Sequence, residues 1–298
     1  MATWKGKTRG GLTGYKIFIT ALKYLGLPFA YFLLRFVALY FFAFGPESFS
    51  NIFHFYRKRL GFGYLRSVLA VYRNYYVFGQ VLLDKTATMG GFDAKFTFDF
   101  DGEQHLKQMA TDGKGGLFIS AHIGNFEMAG QMLERLDTTV NIIMLDAEHQ
   151  KIKKYLSTFT HKSFNIIPIG SENSHVYAIS HALENHEIVC MHGDRFVQGS
   201  KTIACDFLGE KAYFPTGPFY LAMKYGVPVS FVFAMKESTR HYHYYATPPM
   251  YYNQQPTPGK RDEMLKQIIT DYNAATEEKV KQYPYQWFNY YNFWHESR

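Results

Sequence analysis

From Gly115 onward the chain alternates short apolar runs with helix-length amphipathic stretches, and this rhythm constrains the fold more than any other feature. Residues 117–121, 140–145, 165–169, 188–191 and 227–234 read as strands. Between them, helices are expected from the loop after Ala121 to about 136, from 148 to about 163, from about 172 to 185, and over 220–225. Strands this short and apolar, separated by helices, belong to a sheet buried on both faces. The expected fold class is therefore α/β, with a mainly parallel central sheet flanked by helices. Upstream, residues 56–83 read as helix, 96–100 alternate as a strand, and 103–111 form a short helix. Downstream, Leu265, Ile268, Ile269 and Tyr272 share one face of a further helix.

The first part of the chain is of a different kind. Residues 17–44 are almost wholly apolar, interrupted by Lys23, Arg35 and a few small or polar residues. Up to Leu83 there are eleven basic residues and one acid, Glu47, so a net charge of +7 for 298 residues hides +10 in this segment. A basic arm built around such an apolar run fits an anionic membrane surface and excludes nucleic acid as the partner. The aromatic content (28 Phe, 24 Tyr and 3 Trp) suits a protein with one face among lipid headgroups. As a helix the run would measure about 42 Å against a hydrocarbon core of about 30 Å. Pro28 is expected to kink it, and basic residues on both flanks favour an in-plane or re-entrant anchor, with a single span and a buried core helix as the other readings. The expected organisation is an anchor over residues 1–50 and one α/β domain over 51–298. Two cysteines, Cys190 and Cys205, cannot make a disulfide scaffold and fit a reducing compartment.

In open α/β sheets ligands gather outside the carboxyl ends of strands. The first such end reads Ser120-Ala121-His122-Ile123-Gly124-Asn125-Phe126-Glu127. His122 follows the strand directly, and Glu127 falls in the first turn of the next helix, where a carboxylate can fix the imidazole tautomer and raise its basicity. Gly124 permits close backbone approach, and helix N-terminal amides are expected to stabilise an oxyanion. That set suits a general base acting on a hydroxyl without a Ser or Cys nucleophile; a capping histidine beside an exposed acid is the competing reading. A second strand end, His192-Gly193-Asp194-Arg195-Phe196, offers an Asp–Arg pair that either holds a polar substrate group or closes a loop. A third stretch, Phe207-Leu208-Gly209 to Phe214-Pro215-Thr216-Gly217-Pro218, reads as a strand, a tight loop and a helix N-terminus.

Other clusters are less informative. His241 and His243 share a strand face, but no carboxylate or Cys stands at zinc-like spacing, so no metal is expected. His175, His181 and His186 read as solvated, and Cys190 reads as core. No Walker loop or dinucleotide glycine fingerprint is present, and no cofactor is expected.

The block from Ser120 to Glu127 resembles the H-x4-[DE] block of the glycerolipid and lysophospholipid acyltransferase superfamily. Its S-x-H-x-G-N-[WF]-E form is similar to that of the late acyltransferases of lipid A biosynthesis. The basic apolar start, Asp194 at a strand end, Phe207-Leu208-Gly209 followed by Thr216-Gly217, Val227-Pro228-Val229, and the closing Tyr283-Pro284-Tyr285-Gln286-Trp287-Phe288 line up in the same order.

The resemblance implies acyl transfer from an acyl-carrier-protein thioester to a hydroxyl of a lipid A precursor or related envelope glycolipid. It makes His122 the general base and Glu127 its orienting partner, with substrate contacts from Gly124, Asn125, Asp194, Arg195, Thr216 and Gly217. It implies acyl carrier protein and an anionic membrane lipid as partners, at a cell inner membrane with the catalytic domain on the cytoplasmic face. Another membrane-lipid acceptor, amino-acid-linked or phospholipid, and a non-catalytic membrane-bound relative are the alternatives. Two departures bear on the acceptor: Asp194-Arg195 stands where many relatives have Asp-Gln, and Asn289-Tyr290-Tyr291-Asn292-Phe293-Trp294 replaces basic residues after the closing motif. That aromatic tail is expected to touch membrane.

Overall fold

The computed structural model describes residues 12–92, 95–125, 128, 133, 136, 138–145, 165–169, 174–196, 199–252 and 259–294. The expected helices over residues 122–136 and 148–163 lie wholly or largely outside them. Helices α1 (Leu12–Phe44), α2 (Pro46–His54) and α3 (Tyr64–Met89) come first, with a π-turn over Phe55–Arg59. Strand β1 (Thr97–Asp101) and helix α4 (Glu103–Thr111) follow. Then come β2 (Gly116–Ser120), β3 (Val140–Leu145), β4 (Asn165–Ile169), α5 (Ser174–Glu184) and β5 (Ile188–His192). The hairpin β6 (Thr202–Phe207) and β7 (Glu210–Pro215) leads to α6 (Gly217–Tyr225), β8 (Val229–Lys236), β9 (His241–Ala246) and α7 (Arg261–Gln282).

Seven of these strands form one sheet in the order β1-β9-β8-β2-β5-β3-β4, parallel except for β8 against β9. The pleat sends alternate residues to opposite faces, and here both faces are covered. Leu117 and Ile119 of β2, with Val189 and Met191 of β5, join the main core with Ile268 and Tyr272 of α7. Phe118 and Ile188 point the other way, onto Leu106 and Met109 of α4. The four residues expected to share a face of α7, Leu265, Ile268, Ile269 and Tyr272, are all fully buried.

Three readings are corrected. The helix expected from residue 56 begins at Tyr64, because Phe55–Arg59 forms a π-turn first. Between the strand ending at Phe207 and the helix opening at Gly217 lies a second strand, β7, where only a loop is expected. Leu208 and Gly209, both at positive φ, turn β6 back onto β7 as an antiparallel hairpin. The aromatic tail is core rather than a surface: Trp287, Phe288, Asn289 and Phe293 are buried, and the Trp287 ring packs 4.5 Å from Phe55 and 5.1 Å from Phe293.

Helix α1 is long and apolar enough to cross a membrane by length and composition over Gly14–Phe44. Its break falls at Gly26 (φ +76°), two residues before Pro28, where only glycine takes the left-handed backbone easily. One stripe (Leu22, Leu27, Ala30, Tyr31, Leu34) is buried with Leu83 and Ala87 of α3. The other (Tyr24, Phe36, Leu39, Tyr40 and Phe44) is more than half exposed.

Candidate active site

Parallel pairing of β2 with β5 sets Ser120 opposite His192. Two residues further along each chain, His122 and Asp194 therefore meet beyond the carboxyl ends of adjacent strands. Asp194 Oδ1 lies 2.7 Å from His122 Nδ1, and Oδ2 accepts the backbone N–H of His122 at 2.9 Å. One carboxylate thus fixes both the backbone and the ring. Burial by itself would raise the Asp194 pKa, but the hydrogen-bonded His122 and the neighbouring Arg195 and His192 outweigh it and hold the carboxyl well below the usual range. An ionised carboxylate only accepts, so His122 Nδ1 is the donor, and in the neutral ring the lone pair then falls on Nε2. That is the tautomer of a general base.

The ring packs edge-on against His192, with centroids 4.4 Å apart. Burial, followed by the neighbouring His122, lowers the His192 pKa to about 3, so His192 stays neutral beside the pair.

The closing segment of the chain pins this loop from outside. Ile123 bridges Trp287 in antiparallel fashion: Phe288 donates its N–H to His122 O at 2.9 Å, and Gly124 donates to Gln286 O at 2.9 Å. Asn289 Nδ2 donates to Asp194 Oδ2 at 3.1 Å. Arg195 reaches back to the same segment, from Nε to Asn289 Oδ1 (2.9 Å) and from NH2 to Phe288 O (2.8 Å).

Several expected roles change. Gly124 does permit a close approach, but the neighbour is protein: a Cβ there would sit 2.1 Å from Ala234 O, and φ is +62°. Asn125 is buried, with Nδ2 donating to Val81 O (3.3 Å) and Tyr242 OH (3.1 Å) and Oδ1 accepting from Met128 N–H (3.3 Å). Its side chain holds the loop against Val81 of α3 and Tyr242 of β9. The amides of residues 122 to 125 are likewise committed, to Asp194, Ala121 O, Gln286 O and Ala234 O. Asp194, expected as a substrate contact, orients the His122 ring through Nδ1, the orienting role expected for Glu127. Glu127 itself lies outside the described residues.

Arg195 ties the loop after β5 to the tail, the loop-closing alternative. Thr216 hydrogen-bonds Lys201 O through N and Oγ1 at 3.0 and 3.2 Å and opens α6. Around Gly217 a Cβ would meet nothing within 4 Å. Neither residue is drawn into the His122–Asp194 hydrogen bonds. His241 and His243 do share a strand face, and each pairs with carboxylates: Asp99 and Glu237 for the first, Asp101 and Glu237 for the second.

Residues 72–296, well over half the chain, match the family described as bacterial lipid A biosynthesis acyltransferase. The chain belongs to that family. It is also similar to phosphatidylinositol mannoside acyltransferases of Mycobacterium tuberculosis (26% identity over 127 residues, 42% of this chain and 40% of the relative) and of Mycolicibacterium smegmatis (24% over 127 residues, 41% and 40%). The matched region thus spans about two fifths of those relatives. A 1-acyl-sn-glycerophosphate acyltransferase structure from Thermotoga maritima overlaps 84% of this chain and 97% of its own, at 14% identity and a TM-score of 0.39.

The support given by Asn289, Phe288 and Gln286 to the loop is absent from the sequence reading. Only the order of the closing motif hinted at it, because nothing local says which strand-end loop a distant tail will pair with.

Proposed function

We propose that the chain is a membrane-associated acyltransferase that moves a fatty acyl group from an acyl-carrier-protein thioester to a hydroxyl of an envelope glycolipid. The observation that carries this reading is the 2.7 Å contact between Asp194 and His122 Nδ1 at the carboxyl edge of a parallel sheet. Nε2 takes the proton of the acceptor hydroxyl as its oxygen bonds to the thioester carbonyl carbon. The tetrahedral oxyanion then collapses, the C–S bond breaks, and the proton passes from Nε2 to the leaving sulfur. The charge arising on the ring is stabilised by Asp194. Glu127 remains a proposed second carboxylate for the base, and Thr216 with Gly217 the proposed substrate edge.

For the acceptor, family membership supports a lipid A precursor, and the mycobacterial relatives support a glycosylated lipid more generally. The exposed apolar stripe of α1 and the +10 charge up to Leu83 support docking on an anionic bilayer, and acyl carrier protein is the acidic donor such a surface would receive. We place the enzyme at the inner membrane, acting from the cytoplasmic face, with residues 1–50 as anchor and 51–298 as catalytic domain.

The test uses detergent-solubilised full-length protein, acyl-acyl carrier protein with a labelled saturated chain, and lipids extracted from cells lacking the protein. Label should enter a glycolipid with wild type and not with His122→Ala. Equal transfer by both would contradict the proposal.

A further inference from the structure

Beneath the loop that carries His122 lies a buried polar cluster that no step of acyl transfer requires. Asp84 of α3 is fully buried and forms an ion pair with Lys236 at the end of β8, 2.6 Å away. The same carboxylate accepts the hydroxyls of Tyr31 from α1 and Tyr242 from β9. Lys236 also donates to Tyr31 OH (3.1 Å) and Thr239 O (2.9 Å).

Two arms run from this cluster to the loop that carries His122, one through Lys236 and one through Tyr242. In one, Gln286 holds the backbone of Lys236 at both ends, donating Nε2 to its O (2.7 Å) and accepting its N–H on Oε1 (2.9 Å), while its own carbonyl accepts Gly124 N–H at 2.9 Å. In the other, Tyr242 gives its proton to Asp84, which leaves its oxygen as acceptor for Asn125 Nδ2 at 3.1 Å. The direction of that bond decides the amide. With Nδ2 drawn to Tyr242 and Val81 O, Oδ1 faces Met128 N–H, and Asn125 has one satisfied orientation. Asn125 stands three residues after His122, so the charge on Asp84 sets the loop geometry without touching the reacting atoms.

We propose that Tyr242 is a positioning residue for His122, acting through Asn125, with the Asp84–Lys236 pair fixing the direction of its hydroxyl. This rests on His122 being the base. Preorganisation of this kind is spent in the transition state, so its loss lowers kcat and leaves KM alone.

The experiment measures acyl transfer from labelled acyl-acyl carrier protein to the same lipid extract by four variants: Tyr242→Phe, Asn125→Ala, the double variant, and Tyr252→Phe. Tyr252 also donates to a carboxylate, Asp271 at 3.1 Å, but on a different part of the molecule, which makes it the control for losing a partly buried, carboxylate-bound hydroxyl. Tyr242→Phe is expected to lower kcat by about tenfold or more with the donor KM unchanged. The double variant should be no slower than Asn125→Ala alone. Tyr252→Phe should match wild type. Wild-type kcat in Tyr242→Phe, additive losses in the double variant, or an equal loss in Tyr252→Phe would each overturn the proposal. A His122→Ala arm separates the two ideas. Full activity there removes the base and this inference with it, whereas an inactive His122→Ala beside a fully active Tyr242→Phe removes the inference alone.

Discussion

Asp194 holds His122 at two points, its ring nitrogen Nδ1 at 2.7 Å and its backbone N–H at 2.9 Å, each through a different oxygen of one carboxylate. The pair exists because β2 and β5 run parallel in a register that brings Ser120 level with His192. An imidazole fixed in this way has its tautomer chosen before any substrate arrives, as the proposed base requires.

Asp194→Asn is therefore expected to cost far more than one hydrogen bond. An amide NH2 turned toward Nδ1 would favour the proton on Nε2 and disable the base. Transfer should fall by about a hundredfold or more, with the donor KM little changed. Steady-state kinetics with labelled acyl donor measure this, and near-wild-type kcat would show that Asp194 does not orient the base.

His192 predicts a pH signature in stability. Its folded pKa, lowered to about 3, lies below that of the unfolded chain near 6.5. A histidine with a lowered folded pKa contributes stability that is fully present above the unfolded value and is lost as pH falls from there toward the folded one. Thermal melts should fall between about pH 6.5 and pH 4, and His192→Gln, which does not titrate, should flatten that slope. Parallel slopes in the two proteins would contradict the assignment.

The closing segment should behave as core. Trp287→Ala removes a ring that packs tilted against Phe55 and edge-on against Phe293, on a residue whose backbone carbonyl accepts Asn74 Nδ2 at 2.9 Å. The expected cost is about 3–5 kcal/mol in denaturant unfolding, with activity lost alongside because the segment that pins Ile123 through its backbone loses its anchor in the core. A variant of wild-type stability would mean that the tail does not pack as described.

Membrane association should follow the exposed stripe of α1. Phe36→Ser together with Leu39→Ser changes two side chains that are 59% and 53% exposed, so the melting temperature should hold while flotation with anionic liposomes weakens. Unchanged flotation would move the membrane contact elsewhere. Deleting residues 1 to 45 should both release the protein and destabilise it, since Tyr31 and its neighbours would leave Asp84 and α3 uncovered.

The local pattern carried the fold well. Val140–Leu145 and Asn165–Ile169 coincide with their apolar runs, and Glu103–Thr111 with its amphipathic stretch, because strands buried on both faces and a one-sided helix write themselves as composition and period. His122 was legible for the same reason, standing where an apolar strand stops. What the sequence hid was pairing at a distance. Nothing in Asp194 says that β5 will lie beside β2, so it read as a substrate contact. Nothing in Trp287 says that an aromatic tail will be taken into the core and not left on a membrane. Asn125 looked available beside a catalytic histidine until Val81, Tyr242 and Met128, from three separate stretches of chain, closed around it. The return strand β7 was hidden because its turn sets a non-glycine residue, Leu208, at positive φ, held there by Glu277, whose Oε1 accepts its N–H at 2.6 Å.

Mass spectrometry of total envelope lipids from cells with the protein, without it, and with His122→Ala in its place tests the central claim most directly. The account predicts that one glycolipid loses a single acyl chain when the protein is absent, and that His122→Ala reproduces the same loss. A His122→Ala strain whose lipids match wild type, beside a null strain whose lipids do not, would contradict it.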